Sequence, residues 1–351
     1  MALQLFDLAT LTAMRQRVVT IEQFWRAFFP RQINFETPYI DFERANRRYK
    51  SLAPFVAPNV QGRVVRRQGS KMERLSPAYI KMKGPVDASM VIQRVAGEAP
   101  YQPLTNAQRR LAVIGEIMRE HDTRFQNRLE WLAAKAIIDG AVTISGEDYP
   151  AQTVNFNRDP SLTITLTGGA KWDQATAKPL LDIRGARRKA HDLSGSRIKR
   201  LIFGTNAWEL FATRMGFDNP QSGNLLDTRF RGSETDISRV LDGFDGAEFA
   251  GYVQGRNGQG QLECWVYSQT FDDENGVEQA FLNTNDVVGV GAVDGVQMFG
   301  AIHDAEAGYR AISYFQKNWV EHDPSVEYIL GQSAPLMVPG EPNATFRIRV
   351  A

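Results

Sequence analysis

The longest regular pattern in the chain lies between residues 105 and 139, where apolar residues recur every three or four positions. It begins at Thr105, and Gln108 three residues later completes the pattern of a capping box. It ends before Gly140, a residue that commonly stops helices. A helix of this length spans about 50 Å, well above the usual length. Its polar positions alternate in sign, which is typical of a face in solvent or against a polar partner.

A second helical pattern precedes it at the N-terminus. Apolar residues at three- and four-residue spacing continue to Trp25 and Phe28, and Pro30 ends the pattern. Two interpretations fit equally well. The segment is either a helix on its own domain or an arm whose residues Phe24, Trp25 and Phe28 contact a neighbouring subunit.

The segment "VVRRQGSKMERLSPAYIKMKGPVD", residues 64–87, alternates in apolar and charged positions. The alternation predicts a β-hairpin of two arms, and arms of ten residues would reach about 30 Å from the body. An isolated hairpin is marginal in water, so this one needs a partner. Its candidate contact residues are Arg63, Arg66, Arg67, Lys71, Arg74, Tyr79, Lys81 and Lys83. Because no platform of several aromatics accompanies Tyr79, a protein partner is favoured over a nucleic acid.

The second half of the chain mixes helices and strands. Residues 179–193 read as a helix, "RLIFG" as a buried strand and "NAWELFATRM" as a helix, and the pattern is mostly β from Ala247 onward. The C-terminus combines a proline-rich crossing with a last strand, "TFRIRV". Residues from about 172 to 320 therefore read as one α/β unit inserted into another, which makes the fold class α+β.

Composition narrows the function only slightly. The chain has 351 residues, with 41 basic and 40 acidic side chains, so its net charge of +1 gives no field that would favour nucleic-acid binding as the main task. Cys264 is the one cysteine, which excludes a disulfide framework. No apolar run approaches the roughly 18 residues that span a bilayer, and no signal peptide is recognisable, so no membrane partner is expected.

Candidate chemistry is weak throughout. Each of the four histidines precedes an aspartate, but neighbouring side chains on a helix face apart and the pairs are distant. The acidic turn at Asp273 lacks calcium ligands at the required positions. Cys264 lies in a buried-strand pattern and reads as an inert thiol. We therefore expect no catalytic residue, no cofactor and no metal site.

The order of these parts resembles the lambda-type major capsid proteins of tailed bacteriophages, which have the Hong Kong 97 phage-capsid fold. The resemblance covers nearly the whole chain. Its markers are "FETPYIDFE", "LAPFVAP", "SPAYIKMKGPVD", "RVAGE", "EWLAAKAIIDG", Trp172 and "WVEHDPSVEYILGQSAPLMVPGEPNA". None of them is a catalytic motif, and it is their order and spacing together that carry the resemblance.

The resemblance implies five segments. They are an N-terminal arm over 1–45, an extended loop over 46–103, a peripheral domain over 104–171 with a spine helix at 105–139, an axial domain over 172–325, and a return strand to the peripheral domain over 326–351. The hairpin would lie across an adjacent subunit, where its basic residues meet acidic surface and fix register.

The resemblance also implies a function and partners. The chain would self-assemble through hexamers and pentamers into an icosahedral phage head enclosing double-stranded DNA, without catalysis. Because the family-like region begins near Phe35, we expect a separate scaffolding protein. A portal, a decoration protein and non-specifically bound DNA are further candidate partners. The expected location is the virion, with the host cytoplasm during assembly. An encapsulin-like compartment and a soluble enzyme remain as alternatives.

Overall fold

The computed structural model describes residues 23–37, 39–45, 55, 61, 70–75, 77–93, 105–146, 149–215, 230–231, 246–254, 261–273, 275–323 and 325–351. The fold is α+β, as predicted. The helices are α1 (Ala88–Ile92), α2 (Asn106–Ile138), α3 (Pro179–Ser194) and α4 (Thr205–Met215). The strands are β1 (Arg31–Asn34), β2 (Ile40–Ala45), β3 (Ser70–Leu75), β4 (Ile80–Val86), β5 (Ala141–Gly146), β6 (Tyr149–Asn155), β7 (Thr163–Thr165), β8 (Arg200–Phe203), β9 (Phe230–Arg231), β10 (Ala247–Gln254), β11 (Gln261–Tyr267), β12 (Thr270–Asp272), β13 (Glu278–Ala280), β14 (Asp286–Val290), β15 (Val296–Phe299), β16 (Phe315–His322), β17 (Ser325–Ser333), β18 (Pro335–Val338) and β19 (Thr345–Arg349).

The long helix α2 confirms both of its predicted ends. The Thr105 hydroxyl accepts the N–H of Gln108 at 3.3 Å, and the Gln108 side chain accepts the N–H of Thr105 at 2.9 Å. Gly140 has a φ of +67°, which a residue with a side chain rarely adopts. A Cβ on Gly140 would also lie 2.8 Å from the Arg158 side chain. Local sequence therefore sets where this helix starts and stops.

The predicted hairpin within residues 64–87 has different strand partners from those expected. Strand β3 pairs antiparallel with β2, with Ala45 opposite Ser70 and Ile40 opposite Leu75. Strand β4 does not pair with β3 and instead pairs with β17. The loop therefore has β2 and β3 as its arms, and the segments between them, around residues 46–69, lie largely outside the described residues. The alternation predicts strands, and β3 and β4 are strands. Alternation alone, however, does not specify which strand is the partner.

A three-stranded antiparallel sheet, in the order β16-β17-β4, covers one side of α2. Strand β4 approaches the helix closely, because a Cβ on Gly84 would lie 2.6 Å from Ile117. The prediction of a proline-rich crossing in this C-terminal region is wrong for residues 315–333. The segment forms the antiparallel pair of β16 and β17, with His322 opposite Ser325 in the register.

The mixed region is organised around a seven-stranded sheet in the order β7-β19-β14-β8-β11-β10-β9. One face is covered by α3 and α4 and the other by α2 and the segment before β1. The last strand, β19, lies inside this sheet between β14 and β7. Strand β14 lies within the range predicted for the axial domain and β7 within the range predicted for the peripheral domain, so the return of β19 to the peripheral domain stays a prediction. Its apolar residues Phe346 and Ile348 are fully buried in the α/β unit, which explains the placement.

The segment after residue 22 leads into a second three-stranded sheet, β1-β15-β18. A single 3-10 turn, Arg26–Phe28, precedes Pro30, and the chain continues as strand β1, parallel to β15. The predicted break at Pro30 is confirmed. The helix predicted before it falls mostly on residues 1–22, outside the described part of the chain. Among the helices that the structure describes, none is long and apolar enough to cross a membrane.

Candidate assembly surfaces

Tyr79, one of the predicted contact residues, lies at the start of β4 and is bound to its own subunit. Its hydroxyl donates to Gln332 Oε1 at 2.6 Å and accepts the N–H of His303 at 3.1 Å. Gln332 is fully buried and donates to Asp304 Oδ2 at 2.9 Å, and Lys317 Nζ lies 2.7 Å from the same oxygen. This chain of polar contacts fixes the base of the extended loop on the subunit body.

The surroundings shift the pKa values of Tyr79 and Asp304 in opposite directions. Burial raises the pKa of Tyr79, which keeps its hydroxyl protonated and able to donate. Burial would also raise the pKa of Asp304, but hydrogen bonds from Lys317 and Gln332 outweigh it and hold that pKa below its ordinary value. The network therefore combines a neutral phenol with an ionised carboxylate.

Lys81 and Lys83 are exposed and lie on the same face of β4. The ammonium of Lys83 sits 3.5 Å from the ring centre of Tyr328 and 5.3 Å from that of Trp319, a cation–π arrangement. The two rings are themselves 5.5 Å apart. This face of the three-stranded sheet thus presents two lysines and two half-buried aromatic rings.

An ion pair on the opposite face was not predicted from the sequence. Arg110, in the first turns of α2, donates to both carboxylate oxygens of Glu327 at 2.8 Å. Asn318 donates to the same carboxylate at 2.9 Å. Glu327 is buried and lies next to β4 in the register, opposite Val86. The pair joins the long helix to the sheet that carries the base of the loop.

The remaining predicted loop residues are only partly described. Arg74 is exposed, with its guanidinium 5.6 Å from the ring centre of Tyr39. Lys71 lies in β3, opposite Arg44 in the ladder. Arg63, Arg66 and Arg67 lie outside the described residues. Contact of these side chains with a neighbouring subunit stays a prediction.

The three predicted arm residues pack on their own chain. Phe24 and Trp25 are buried, and their rings lie 5.2 Å and 5.4 Å from that of Tyr267 in β11. Phe28 is half-buried against both, at 5.9 Å and 6.3 Å. The side chains of Phe24 and Trp25 are therefore covered by their own chain, and the helix of the first interpretation falls mostly on residues outside the described part. A neighbour contact through Phe28 stays a prediction.

A buried carboxylate on α2 holds this segment in place. Glu130 is 1% exposed and accepts the N–H groups of Trp25 at 2.7 Å and Arg26 at 3.0 Å. The Arg26 side chain reaches Gln126 and, at 3.0 Å, Gln297. Burial raises the pKa of Glu130 to about 7, although the two N–H groups act to lower it. The sequence prediction treated Glu130 as one more charge on an amphipathic helix, and its role becomes clear from the packing.

Within the described ranges, the His, Cys, Asp and Glu side chains form no cluster of three or more that could hold a metal ion. Cys264 is buried in β11, and burial raises the pKa of its thiol far above the usual range. A protonated, buried thiol is a poor nucleophile.

Solved structures identify the fold. The chain is similar to a prophage capsid protein from E. coli CFT073, with 24% identity, coverage of 99% of this chain and 100% of that one, and a TM-score of 0.72. It is also similar to a chain of the mature capsid of bacteriophage PhiM1, with 11% identity, 94% and 88% coverage and a TM-score of 0.50. The fold is that of phage capsid proteins, in agreement with the resemblance noted in the sequence.

The family follows from the sequence comparisons. The model of the family "phage major capsid protein E" matches residues 7–350. The major capsid protein of Escherichia phage lambda is 30% identical over 350 residues, 97% of each chain. The major capsid protein of Enterobacteria phage P21 is 29% identical over 344 residues, 95% of this chain and 96% of that one. The chain belongs to the phage major capsid protein E family, which favours a capsid subunit over an encapsulin-like compartment or a soluble enzyme.

Proposed function

We propose that this capsid protein assembles through hexamers and pentamers into an icosahedral head that encloses double-stranded DNA, and that it does so without catalysis. The observation that carries this proposal is how the two parts of the extended loop are supported. Its base is held on the subunit body by hydrogen bonds of Tyr79 and Arg110, whereas its arms, among the described strands, pair only with each other. Strands β2 and β3 pair with each other and form a sheet of two strands. Such a ladder is marginal alone in water, so a second subunit is the natural support for it.

The geometry of such a contact would be heterologous. A loop on one subunit would lie on the body of the next, and repetition of that contact closes a ring. The basic residues of the loop would fix register against acidic surface more than they add affinity. Many modest interfaces of this kind give a cooperative shell through multivalency.

The domain organisation is part of the proposal. We assign the arm to residues 1–45, the extended loop to 46–103, the peripheral domain to 104–171 and the axial domain to 172–325, and we move two segments between them. The loop gains β2 as its first arm, because β2 pairs with β3. The axial domain gains β19, because β19 pairs with β14, which lies within 172–325. Its other neighbour is β7, which lies within 104–171.

The proposed partners follow from this function. They are other copies of the chain, a separate scaffolding protein, a portal, a decoration protein on the shell, and packaged DNA held by non-specific contacts. Assembly would take place in the host cytoplasm, and the finished protein would lie in the capsid of the virion.

The loop can be removed without disturbing its base. Because Ala45 and Ser70 face each other at the last pair of the β2–β3 ladder, residues 46–69 can be replaced by Asn-Gly, which forms a two-residue hairpin turn. The variant should fold but form no shells when it is expressed with its scaffolding protein, as judged by negative-stain microscopy and light scattering.

A matched control shortens another hairpin in the same way. Asp272 pairs with Glu278 at the end of the β12–β13 ladder, so residues 273–277 can also be replaced by Asn-Gly. This variant should assemble like the parent chain. Intact shells from the loop-replaced variant would contradict the proposed role of the loop, and a parent chain that stays small in every context would contradict the capsid function itself.

A further inference from the structure

The exposed face of helix α3 concentrates positive charge in a chain that is almost neutral overall. Between residues 178 and 199 the sequence has seven lysines and arginines against two aspartates, whereas the whole chain has a net charge of +1. One of the two aspartates, Asp182, accepts a hydrogen bond from Trp172 Nε1 at 3.0 Å and is thereby turned toward the core. With seven basic and two acidic side chains, the segment has a formal charge of +5.

Two arginines of α3, Arg184 and Arg188, lie away from its buried side. Ile183, Ala186 and Ala190 pack into the core under the seven-stranded sheet. At 100° per residue, Arg184 and Arg188 fall on the other side of the helix, and both are exposed. They are about 6 Å apart along the axis, close to the length of two phosphate steps along one DNA strand, about 6.8 Å.

A third arginine, Arg187, flanks the other two. Burial and the positive charge of Arg184 both lower the pKa of Arg187, so the two guanidinium groups repel each other. Among the side chains that the structure describes, no carboxylate lies within ion-pair distance of Arg184, Arg187 or Arg188. These three residues are called the arginine face below.

The charges are not explained by helix stability. Cations favour the C-terminal end of a helix, but the effect falls off within the last turn. The last turn of α3 has His191 as its basic residue, and the three arginines lie before it. The arginine face is therefore better explained by a ligand outside the subunit.

We propose that the arginine face binds the phosphate backbone of the packaged DNA, an inference that rests on the proposed function and that requires this face to lie on the inner wall of the shell. Guanidinium groups pair with phosphates through two parallel hydrogen bonds. Specific protein interfaces have apolar centres, whereas the one large apolar side chain exposed on this face is Leu181, at 56%. A sequence-independent polyanion fits such a surface better than an acidic protein.

The first experiment measures how the unassembled protein binds a 20-base-pair DNA duplex as the salt concentration varies. In Arg184→Gln/Arg187→Gln/Arg188→Gln, loss of three phosphate contacts should reduce the log–log salt slope by about 2.7. The matching Arg→Lys variant should keep most of the slope because it keeps the charge. A control with Arg119→Gln, Arg124→Gln and Arg310→Gln loses the same charge from exposed positions elsewhere and should change the slope little.

Two outcomes of this experiment would overturn the proposal. One is a salt slope that the three Gln substitutions leave unchanged. The other is a polyglutamate peptide that binds as tightly as DNA and loses affinity equally in the variant, which would identify an acidic protein partner. Shells of normal appearance from the Gln variant show that assembly is intact, so a failure here is separable from a failure of the capsid function.

The second experiment tests whether the face points inward. Because the native Cys264 is buried, Leu181→Cys places a single accessible thiol on the arginine face. In closed shells a small maleimide that passes through pores should label it, and a large polymer-linked maleimide should not. Labelling of closed shells by the large reagent would put the face outside, and failure of both reagents would bury it between subunits. Either result would overturn the proposal.

Discussion

Two extended parts of this chain join the subunit body, and they are attached by different kinds of interaction. The base of the extended loop is fixed by directional polar contacts, from Tyr79 through Gln332 to Asp304 and, on the other face, from Arg110 to Glu327. The segment before β1 is fixed by aromatic burial, with one carboxylate, that of Glu130, beneath it.

The difference suggests what each attachment does. Apolar burial is strong and non-directional, so it keeps a segment in place without fixing its angle finely. Hydrogen bonds add less net free energy but demand a geometry. Hydrogen bonds suit a loop that must reach a neighbour at a defined angle. Apolar burial suits a segment that must only stay attached.

The largest expected effect comes from the aromatic attachment. Trp25→Ala should lower the free energy of unfolding of the unassembled chain by about 4 kcal/mol, because a fully buried indole is lost and a cavity is left. Urea denaturation at neutral pH measures it. Leu181→Ala, at a half-exposed position, should cost less than about 1 kcal/mol. Equal effects of the two substitutions would show that the segment before β1 contributes little to the core.

The ion pair at the base of the loop comes next. Arg110→Ala leaves the buried Glu327 carboxylate with Asn318 as its remaining partner and should lower the free energy of unfolding by about 3 kcal/mol. The double variant Arg110→Met/Glu327→Leu should recover most of the loss. For comparison, Arg124→Ala breaks a pair with Glu120 that is exposed on both sides, which should cost under about 0.5 kcal/mol. A double variant as unstable as Arg110→Ala would rule out this explanation.

The aromatic attachment should also depend on pH. The folded pKa of Glu130 is about 7 and its ordinary value is 4.5, so its contribution to stability is fully present below pH 4.5 and is lost as the pH rises through 7. Between pH 5 and 7 the loss should be about 2 kcal/mol. The other titratable groups facing this carboxylate are Arg26 and Tyr267, and burial raises the pKa of Tyr267, so neither changes charge in this range.

Denaturation series at several pH values, in the parent chain and in Glu130→Gln, test this dependence. The variant should lack the 2 kcal/mol component, and Glu120→Gln, at a half-exposed position on the same helix, should retain it. If Glu130→Gln kept the full pH dependence, the titrating group would have to be another one.

The smallest effect is expected at the phenol. Tyr79→Phe leaves the fully buried Gln332 amide oxygen and the His303 N–H without their partner, which should cost about 1.5 kcal/mol. Tyr309→Phe removes a hydroxyl from a side chain that is 64% exposed and should be neutral. Normal shells from Tyr79→Phe would sharpen the comparison, since they would mean that the ion pair alone sets the angle of the loop.

The features that could be predicted from the sequence are those that depend on residues close together in the chain. The ends of α2 follow from Thr105, Gln108 and Gly140, all within or next to the helix. The partner of β4 could not be predicted, because a two-residue alternation fits any partner strand. The pairing of β16 with β17 was not predicted, because the four prolines of residues 317–350 indicated a crossing, although three of them come after β17.

The same limit applies to the candidate sites. The basic residues of the loop stood out because charge is visible in a sequence, and several of them remain predictions. Glu130 and Gln332 did not stand out, since a single Glu on a helix or Gln in a strand is ordinary until its surroundings are known. The signal that could have found Glu130 is its place among the apolar positions of α2, between Leu129 and Leu132.

The pairing of β4 with β17 has a consequence for how the chain folds as it is made. Residues 80–86 find their partners at 327–333, and at 5–20 residues per second a ribosome needs on the order of 10 to 50 s to synthesise the intervening chain. Contacts this distant in sequence also form slowly. The base of the extended loop therefore cannot be fixed on a nascent chain until translation is almost finished, and a subunit truncated before residue 327 has no anchored loop to offer a neighbour.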